Sequence, residues 1–232
     1  MRSLLLLFLA LAAMACTSSR GFDRGALRSE VTQQREITDE EIKKAMEAKP
    51  QLPRPFKLAL HFASPPKPEW YYRAQWLWTG EDKDRVLKAL YPLRASGAVS
   101  ELMVIPDAVI EGAGNKAVRL AAARVGADAV LMIRGTADLD RYNNALGSLY
   151  ILLVTGAFIP GTEVDGLFIV NAAMWDVGND FLYLGAEAEG LEHKTGPAFF
   201  VDDEQILKVA KGKALDRLVA DVEKRLMGLA AK

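Results

Sequence analysis

The chain has 232 residues, 50% of them apolar, and its 29 basic and 30 acidic side chains give a formal net charge of −1. This balance disfavours nucleic acid as a partner, because the phosphate backbone is bound mainly by a surplus of Lys and Arg. A single cysteine excludes an intramolecular disulfide. No Gly-rich phosphate loop is present, and His61 and His193 have no companions at metal-ligand spacing, so we expect neither a cofactor nor a metal.

The N-terminus has the pattern of a secretory signal. Arg2 precedes an apolar run at 4–13, and Ala13-Met14-Ala15 supplies small residues directly before Cys16. The run is shorter than the roughly 20 apolar residues of a transmembrane helix. We therefore expect residues 1–15 to be a signal helix that is cleaved off.

The residues around Cys16 resemble a bacterial lipobox, in which the cysteine receives diacylglycerol and becomes the acylated N-terminus. The resemblance implies a lipoprotein that is bound to the membrane through lipid, with palmitate-type acylation at Cys16. Thr17, rather than Asp, follows the cysteine, which implies the outer membrane with the domain facing the periplasm. The alternative is an ordinary secretory signal that happens to contain a cysteine.

Residues 16–55 are polar and charged, and we expect a tether with one short helix. Thr38 is followed by Asp39-Glu40-Glu41, which is typical of a capping box at a helix start, and prolines at 50, 53 and 55 end the segment. The remaining residues, 56–232, have the length of a single domain.

Hydrophobic periodicity predicts alternating strands and helices in the first half of this domain. The predicted order is a strand at 56–62, a helix at 81–96, a strand at 99–105, a helix at 116–125 and a strand at 129–133. Such crossovers are right-handed and give parallel strand pairs.

The second half of the domain no longer alternates strands with helices. Residues 166–176 and 181–189 are predicted to be antiparallel strands joined by the turn sequence Gly178-Asn179-Asp180, and a long amphipathic helix is predicted at 203–227. The expected fold class is therefore α/β (α+β), a mixed sheet of about five to six strands with helices packed on it.

An aromatic cluster follows the first strand. It consists of Trp70, Tyr71, Tyr72, Trp76 and Trp78. Such a density is typical of a carbohydrate or protein contact surface, since aromatic residues are enriched at interface hot spots. An edge strand of the core at 75–78 explains the pattern equally well.

Asp138, Asp140 and Arg141 follow the strand at 129–133, and we interpret them as a charged turn. Loops at the carboxyl ends of strands are where α/β folds place ligands, and paired acids can serve acid/base chemistry or bind calcium. A solvated turn is the simpler interpretation, because no histidine or further acid accompanies the pair.

Residues 149–159 are the most apolar stretch after the signal, with Leu152 near the centre. A run of this length favours a buried strand or helix of the core. A membrane-dipping hairpin and a docking surface for a partner are the alternatives.

Two stretches carry a resemblance to known families. The run 121–133 resembles the helix-to-strand passage of the curli-secretion lipoprotein family and of the TolB N-terminal domain, and residues 155–163 and 174–177 are similar to rhombotarget-type lipoproteins. The resemblance implies an envelope lipoprotein with an α/β domain, and no catalytic motif comes with it.

The expected function is that of a non-enzymatic assembly, transport-accessory or scaffolding lipoprotein that contacts an envelope protein partner. The candidate contact residues are the aromatic cluster, Asp138, Asp140 and Leu152. An enzyme acting on envelope polymers through Asp138, Asp140 or Glu187 is one alternative, and a subunit of an oligomeric secretion assembly is another, so a homo-oligomer stays open.

Overall fold

The computed structural model describes residues 18–32, 36–65, 75–151 and 156–230. The strands are β1 (Phe56–Phe62), β2 (Val99–Ile105), β3 (Ala129–Asn143), β4 (Thr162–Asp176) and β5 (Leu182–Gly196). The α-helices of the described residues are α1 (Arg24–Val31), α2 (Asp39–Glu47), α3 (Gly80–Ala95), α4 (Gly114–Arg124) and α5 (Asp203–Ala230).

The strands form one mixed sheet in the order β2-β1-β3-β4-β5. β1 pairs in parallel with β2 and with β3, while β3, β4 and β5 follow one another as an antiparallel meander. The predicted fold class is thereby confirmed, including the long C-terminal helix. The predicted signal helix lies outside the described residues.

The first face of the sheet is covered by α3 and α5, which enclose the largest part of the core. α5 approaches β5 at backbone contact: a Cβ built on Gly190 would lie 1.9 Å from the carbonyl oxygen of Ala210. Only glycine permits this approach, because any side chain on the strand would push the helix away.

A buried ion pair joins the two helices of this face. The Nζ atom of Lys211 in α5 donates to Oδ2 of Asp82 in α3 at 2.5 Å, and both residues are buried. Asp82 also accepts from the backbone N–H of Thr79 at 2.8 Å, so the same carboxylate closes the capping box that begins α3. The pair fixes the position of α5 relative to α3.

The second face is covered by α4 at one end and by an N-terminal strap at the other. The strap, residues 18–31, buries Leu27 of α1 against Leu167 and Ile169 of β4. Arg28 reaches across to Glu187 and Glu189 of β5 at 2.7 Å each. This part of the expected tether therefore packs on the sheet.

We expected a single helix in residues 16–55, and the described part of that range has two. The capping box predicted at Thr38 forms, with Thr38 and Glu41 each accepting the other's backbone N–H, and it starts α2. The sequence did not predict α1, because its two buried residues, Leu27 and Val31, are too few to show the hydrophobic periodicity of a helix.

The last three strands are longer than the apolar patterns predict. β3 runs to Asn143, so Asp138, Asp140 and Arg141 lie within a strand, and the predicted charged turn is wrong. Polar residues at 136, 138 and 140 alternate with apolar ones at 137 and 139, which is period-two strand patterning. The carboxylates of Asp138 and Asp140 contact the strap, whereas a turn would expose them to solvent.

Candidate functional site

The acidic pair singled out from the sequence lies under the start of the strap. Ser19 donates its hydroxyl hydrogen to Oδ2 of Asp140 at 2.5 Å, and the backbone N–H of Gly21 donates to the same oxygen at 2.8 Å. Arg20 pairs with Asp138 at 2.5 Å. The two carboxylates therefore hold the first described residues of the chain, and Asp140 is itself buried.

Further along the strap, the contacts move step by step toward the middle of the sheet. Glu30 accepts a hydrogen bond from Thr136 at 3.0 Å, whereas Ser19 binds Asp140 four residues further along β3. The chain followed back from residue 30 to residue 18 thus runs toward the end of β3 at Asn143.

Glu187, the third acid considered from the sequence, is also engaged by the strap. Its carboxylate accepts from Arg28 at 2.7 Å, and this pairing raises the pKa of Arg28, chiefly through the hydrogen bond from its guanidinium. Asp138, Asp140 and Glu187, the three residues considered for catalysis, therefore all bind side chains of the strap.

Trp76 and Trp78 belong to the core side of the first face. Their rings lie 4.9 Å apart edge to face, and Trp76 meets Phe168 of β4 in the same manner at 4.8 Å. The indole N–H of Trp78 donates to the carbonyl of Ala63 at 2.8 Å. Residues 75–79 have no regular secondary structure, and Trp70, Tyr71 and Tyr72 lie outside the described residues.

The end of the sheet near Asn143 carries an exposed apolar surface. We name it the apolar tip, and it consists of the exposed side chains of Leu146, Leu149, Phe158, Phe199 and Phe200. Residues 145–151 form a 3₁₀ helix after β3. The β5–α5 connection joins them, because Arg141 donates to the carbonyl of Ala198 at 2.6 Å and a Cβ on Gly156 would lie 3.2 Å from the Phe199 ring.

The apolar tip includes two residues of the segment at 149–159, which was predicted to belong to the core. Leu149 is 47% exposed and Phe158 is 77% exposed, so these two residues are not part of a buried strand or helix. Leu152 lies outside the described residues, as does Cys16.

The opposite end of the sheet contains a cavity of about 560 Å³, which we name the base cavity. Its walls come from the chain before β1, from the α3–β2 connection, from the start of β5 and from the end of α5. The apolar lining residues are Pro50, Leu52, Pro53, Phe56, Ala98, Phe181, Leu182 and Leu226, and Tyr183 and Arg54 add polar groups.

Tyr183 braces one wall of the base cavity. Its hydroxyl accepts from the backbone N–H of Gln51 at 3.0 Å and donates to Asp176 at 2.7 Å. Burial and the hydrogen bond to Asp176 raise the pKa of Tyr183 to about 12. Asn179, in the β4–β5 turn, donates to the carbonyl of Lys49 at 2.6 Å, so residues 49–52 are fastened to the sheet.

A polar cluster that the sequence did not reveal lies on three adjacent strands near the tip. Asp165 of β4 accepts from the Tyr142 hydroxyl at 3.0 Å and pairs with Nδ1 of His193 at 2.7 Å. Burial, followed by the hydrogen bond to Asp165, raises the pKa of Tyr142. The cluster ties β3, β4 and β5 together, and strand pairing alone brings its members into contact.

His61 lies at the carboxyl end of β1. It is buried, its Nδ1 atom has no hydrogen-bond partner, and Oδ1 of Asp107 lies 3.6 Å from that atom. Burial lowers the pKa of His61, and the nearby Asp107 carboxylate and Ile105 carbonyl oppose the shift without reversing it. His61 is therefore a neutral core residue at neutral pH.

In residues 18–32, 36–65, 75–151 and 156–230, no three His, Cys, Asp or Glu side chains are grouped as a metal site. In those same ranges, no helix has both the length and the hydropathy to cross a bilayer.

No family model and no curated protein matches this chain. Among solved structures, it is similar to the PelC dodecamer of Paraburkholderia phytofirmans, at 18% identity and a TM-score of 0.32, covering 76% of this chain and 91% of that chain. It is also similar to a hypothetical protein of Chlamydia trachomatis, at 10% identity and a TM-score of 0.40, covering 74% and 98%. A third is lipoprotein GNA1162 of Neisseria meningitidis, at 17% identity and a TM-score of 0.30, covering 74% and 99%. At such TM-scores these likenesses carry no argument about function.

Proposed function

We propose that this chain is a lipoprotein of the cell envelope, anchored through acyl chains on Cys16, whose domain binds a protein partner without catalysis. The observation that carries the proposal is the position of two features at opposite ends of the sheet. The strap begins near the end of β3, and the base cavity opens at the start of β1 and β5. An anchor at residue 16 would thus leave the cavity turned away from the membrane.

The separation of these features follows from the length of the strands. His193 lies beside Asp165, close to the start of the strap, while Leu182 lines the base cavity eleven residues earlier on the same strand. At about 3.4 Å per residue, the two levels are about 37 Å apart. The cavity is therefore far enough from an anchor at residue 16 to receive a partner.

The size and lining of the base cavity support a binding role. Its volume of about 560 Å³ falls within the roughly 300 to 1,000 Å³ of typical binding pockets, and aliphatic and aromatic side chains dominate its walls. Leu182 at its rim is 46% exposed, and the apolar side chains of a protein partner would cover it.

The absence of catalysis in this proposal is supported by the roles of the candidate acids. Asp138, Asp140 and Glu187 each bind a side chain of the strap. A general acid or base must be able to reach a substrate proton, and these carboxylates are occupied by the chain's own arginine and serine side chains.

Lipidation is tested by Cys16→Ser in the producing cell, followed by detergent phase partitioning of both proteins. Acyl chains contribute about 0.8 kcal/mol per buried methylene, so the native protein should enter the detergent phase and the variant should not. Recovery of both proteins in the detergent phase would contradict the lipid anchor. Fractionation of the native protein between inner and outer membranes then tests the expected outer-membrane position.

Partner binding is tested with a photo-crosslinking amino acid at position 182 in living cells. Leu191 provides a matched control, because it lies on the same strand and is likewise 46% exposed. We expect position 182 to give a crosslinked envelope protein and position 191 to give none. Crosslinks only between two copies of this chain would replace the partner with a homo-oligomer, and equal crosslinking at both positions would remove the base cavity from the proposal.

A further inference from the structure

The apolar tip exposes more large apolar surface than its place in the fold requires. Phe158 is 77% exposed, Phe199 is 69% exposed and Phe200 is 68% exposed, and they belong to two connections that leave the same end of the sheet. Large apolar patches on a protein surface mark sites that contact a partner or a membrane.

The composition of these two connections favours contact with a membrane over contact with most protein surfaces. Residues 144–161 and 195–201 contain no Asp, Glu, Lys or Arg. The interior of a bilayer penalises charged side chains by several kcal/mol, and aromatic residues are favoured at its interface. Among the charged residues that flank these connections, Arg141 and Asp203 are paired with each other at 2.8 Å, and Glu163 accepts a hydrogen bond from Asn144 at 3.1 Å.

The position of the chain at residue 18 supplies an independent argument. Ser19 is hydrogen-bonded to Asp140, which lies three residues before the end of β3, or about 10 Å from it. Cys16 precedes residue 18 by two residues, which span at most about 7 Å. Acyl chains on Cys16 would therefore enter the membrane beside the tip.

We propose that the apolar tip lies in the surface of the bilayer that holds the Cys16 acyl chains. This inference rests on the proposed lipidation. The tip and the acyl chains form two adjacent membrane contacts, so the domain stands on the membrane with its strands directed away from the surface. The connections contact the acyl region without crossing the bilayer, which is the behaviour of an interfacial element.

The test uses the lipidated full-length protein with a single added cysteine. Because lipidation blocks the Cys16 thiol, Phe158→Cys provides the one reactive thiol for an environment-sensitive fluorophore. Met46→Cys is the matched control: Met46 is 82% exposed, and α2 precedes the Lys49 carbonyl that binds the β4–β5 turn at the opposite end of the sheet. Each labelled protein is inserted into vesicles of phosphatidylethanolamine and phosphatidylglycerol, with and without brominated acyl chains.

We expect the label at position 158 to shift its emission to the blue and to be quenched by brominated lipid, whereas the label at position 46 keeps its aqueous emission. Aqueous, unquenched emission at position 158 would overturn the proposal. A blue shift that requires an added envelope protein, or that depends on protein concentration in detergent, would assign the tip to a protein partner or to a second copy and would also overturn it.

Failure of the anchor is distinguished from failure of the tip by the parental protein. If Cys16 is not lipidated, the unsubstituted chain takes up the fluorophore and does not float with vesicles, and the proposed function fails. If the parental chain stays unlabelled and floats while position 158 remains aqueous, the anchor stands and only the proposed membrane contact of the tip fails.

Discussion

The two faces of the sheet are covered in different ways. α5 lies on one face over 28 residues, with Ala210 and Ala214 fully buried and its backbone against Gly190. The strap covers the other face with a helix of eight residues, held by Leu27, Val31 and ion pairs that are 24% to 45% exposed. The first contact belongs to the global core, and the second can open locally.

This difference matters because the strap joins the proposed anchor to the domain. Exposed ion pairs contribute little, since water and salt screen them, so most of the attachment comes from the buried side chains of Leu27 and Val31 and from the hydrogen bonds to the buried Asp140. Damage to α5 should therefore unfold the molecule, whereas damage to the strap should loosen the domain from its anchor and leave the fold intact.

The largest effect is expected at the buried ion pair of the α5 face. Lys211→Met leaves the Asp82 carboxylate buried without its partner, which should lower the free energy of unfolding by about 3 to 5 kcal/mol. Urea denaturation of the purified protein measures it. Lys213→Met is the control, because Lys213 is 48% exposed, and it should cost much less. Equal losses in the two variants would show that the Lys211–Asp82 pair is solvated.

The next effect tests the close approach of α5 to the sheet. Gly190→Ala places a methyl group on the Ala210 carbonyl and should cost about 3 kcal/mol, because helix and strand must separate. Gly185→Ala on the same strand meets no atom within 4 Å and should change stability by less than about 0.5 kcal/mol. Thermal melts that shift alike for both variants would contradict backbone contact at Gly190.

A smaller and more local effect is expected in the strap. Leu27→Ala removes a buried side chain and should lower the free energy of opening of the strap by about 2 kcal/mol, so amide exchange should rise more in residues 18–32 than in α5. Arg28→Ala should have much less effect, because its ion pairs are exposed. If exchange rose by the same factor in α5 and in the strap, the two faces would form one cooperative unit.

The smallest effect concerns pH. Burial lowers the pKa of His61, so below about 6.5 the unfolded chain binds more protons than the folded one, and stability falls as pH falls. The charge of Asp107 opposes this lowering of the pKa, and the charges of Arg134 and Lys83 add to it. His61→Gln should make the loss of melting temperature between about pH 7.5 and pH 5 smaller. An unchanged pH slope in the variant would remove His61 as the source.

Much of the fold could be predicted because local patterns specify local elements. β1 occupies the predicted residues 56–62, and the helix predicted at 203–227 matches α5 except for its last turn. The capping box at Thr38 forms because its hydrogen bonds join residues three apart. Contacts between residues so close in the chain can be inferred from the sequence alone.

The candidate sites could be predicted only in part. Asp138 and Asp140 were chosen for their chemistry, but their partners, Ser19 and Arg20, are about 120 residues away in the chain. The base cavity draws its lining from four separate segments, and no motif marks any of them. The sequence shows the apolar run at 149–159, but its composition is compatible with both a buried and an exposed segment.

The sequence by itself determined most of the strands and helices after residue 55 and the mixed character of the sheet, because each depends on periodicity or on short motifs, and a pattern of the same kind predicts export and lipidation at Cys16. Tertiary structure alone decided that residues 18–31 pack as a strap, that Asp138 and Asp140 hold it, and that Phe158 and Phe199 are exposed at the end of the sheet where the strap begins. The physical reason is that these features depend on strand register and long-range packing, which bring together side chains whose partners cannot be inferred from local sequence.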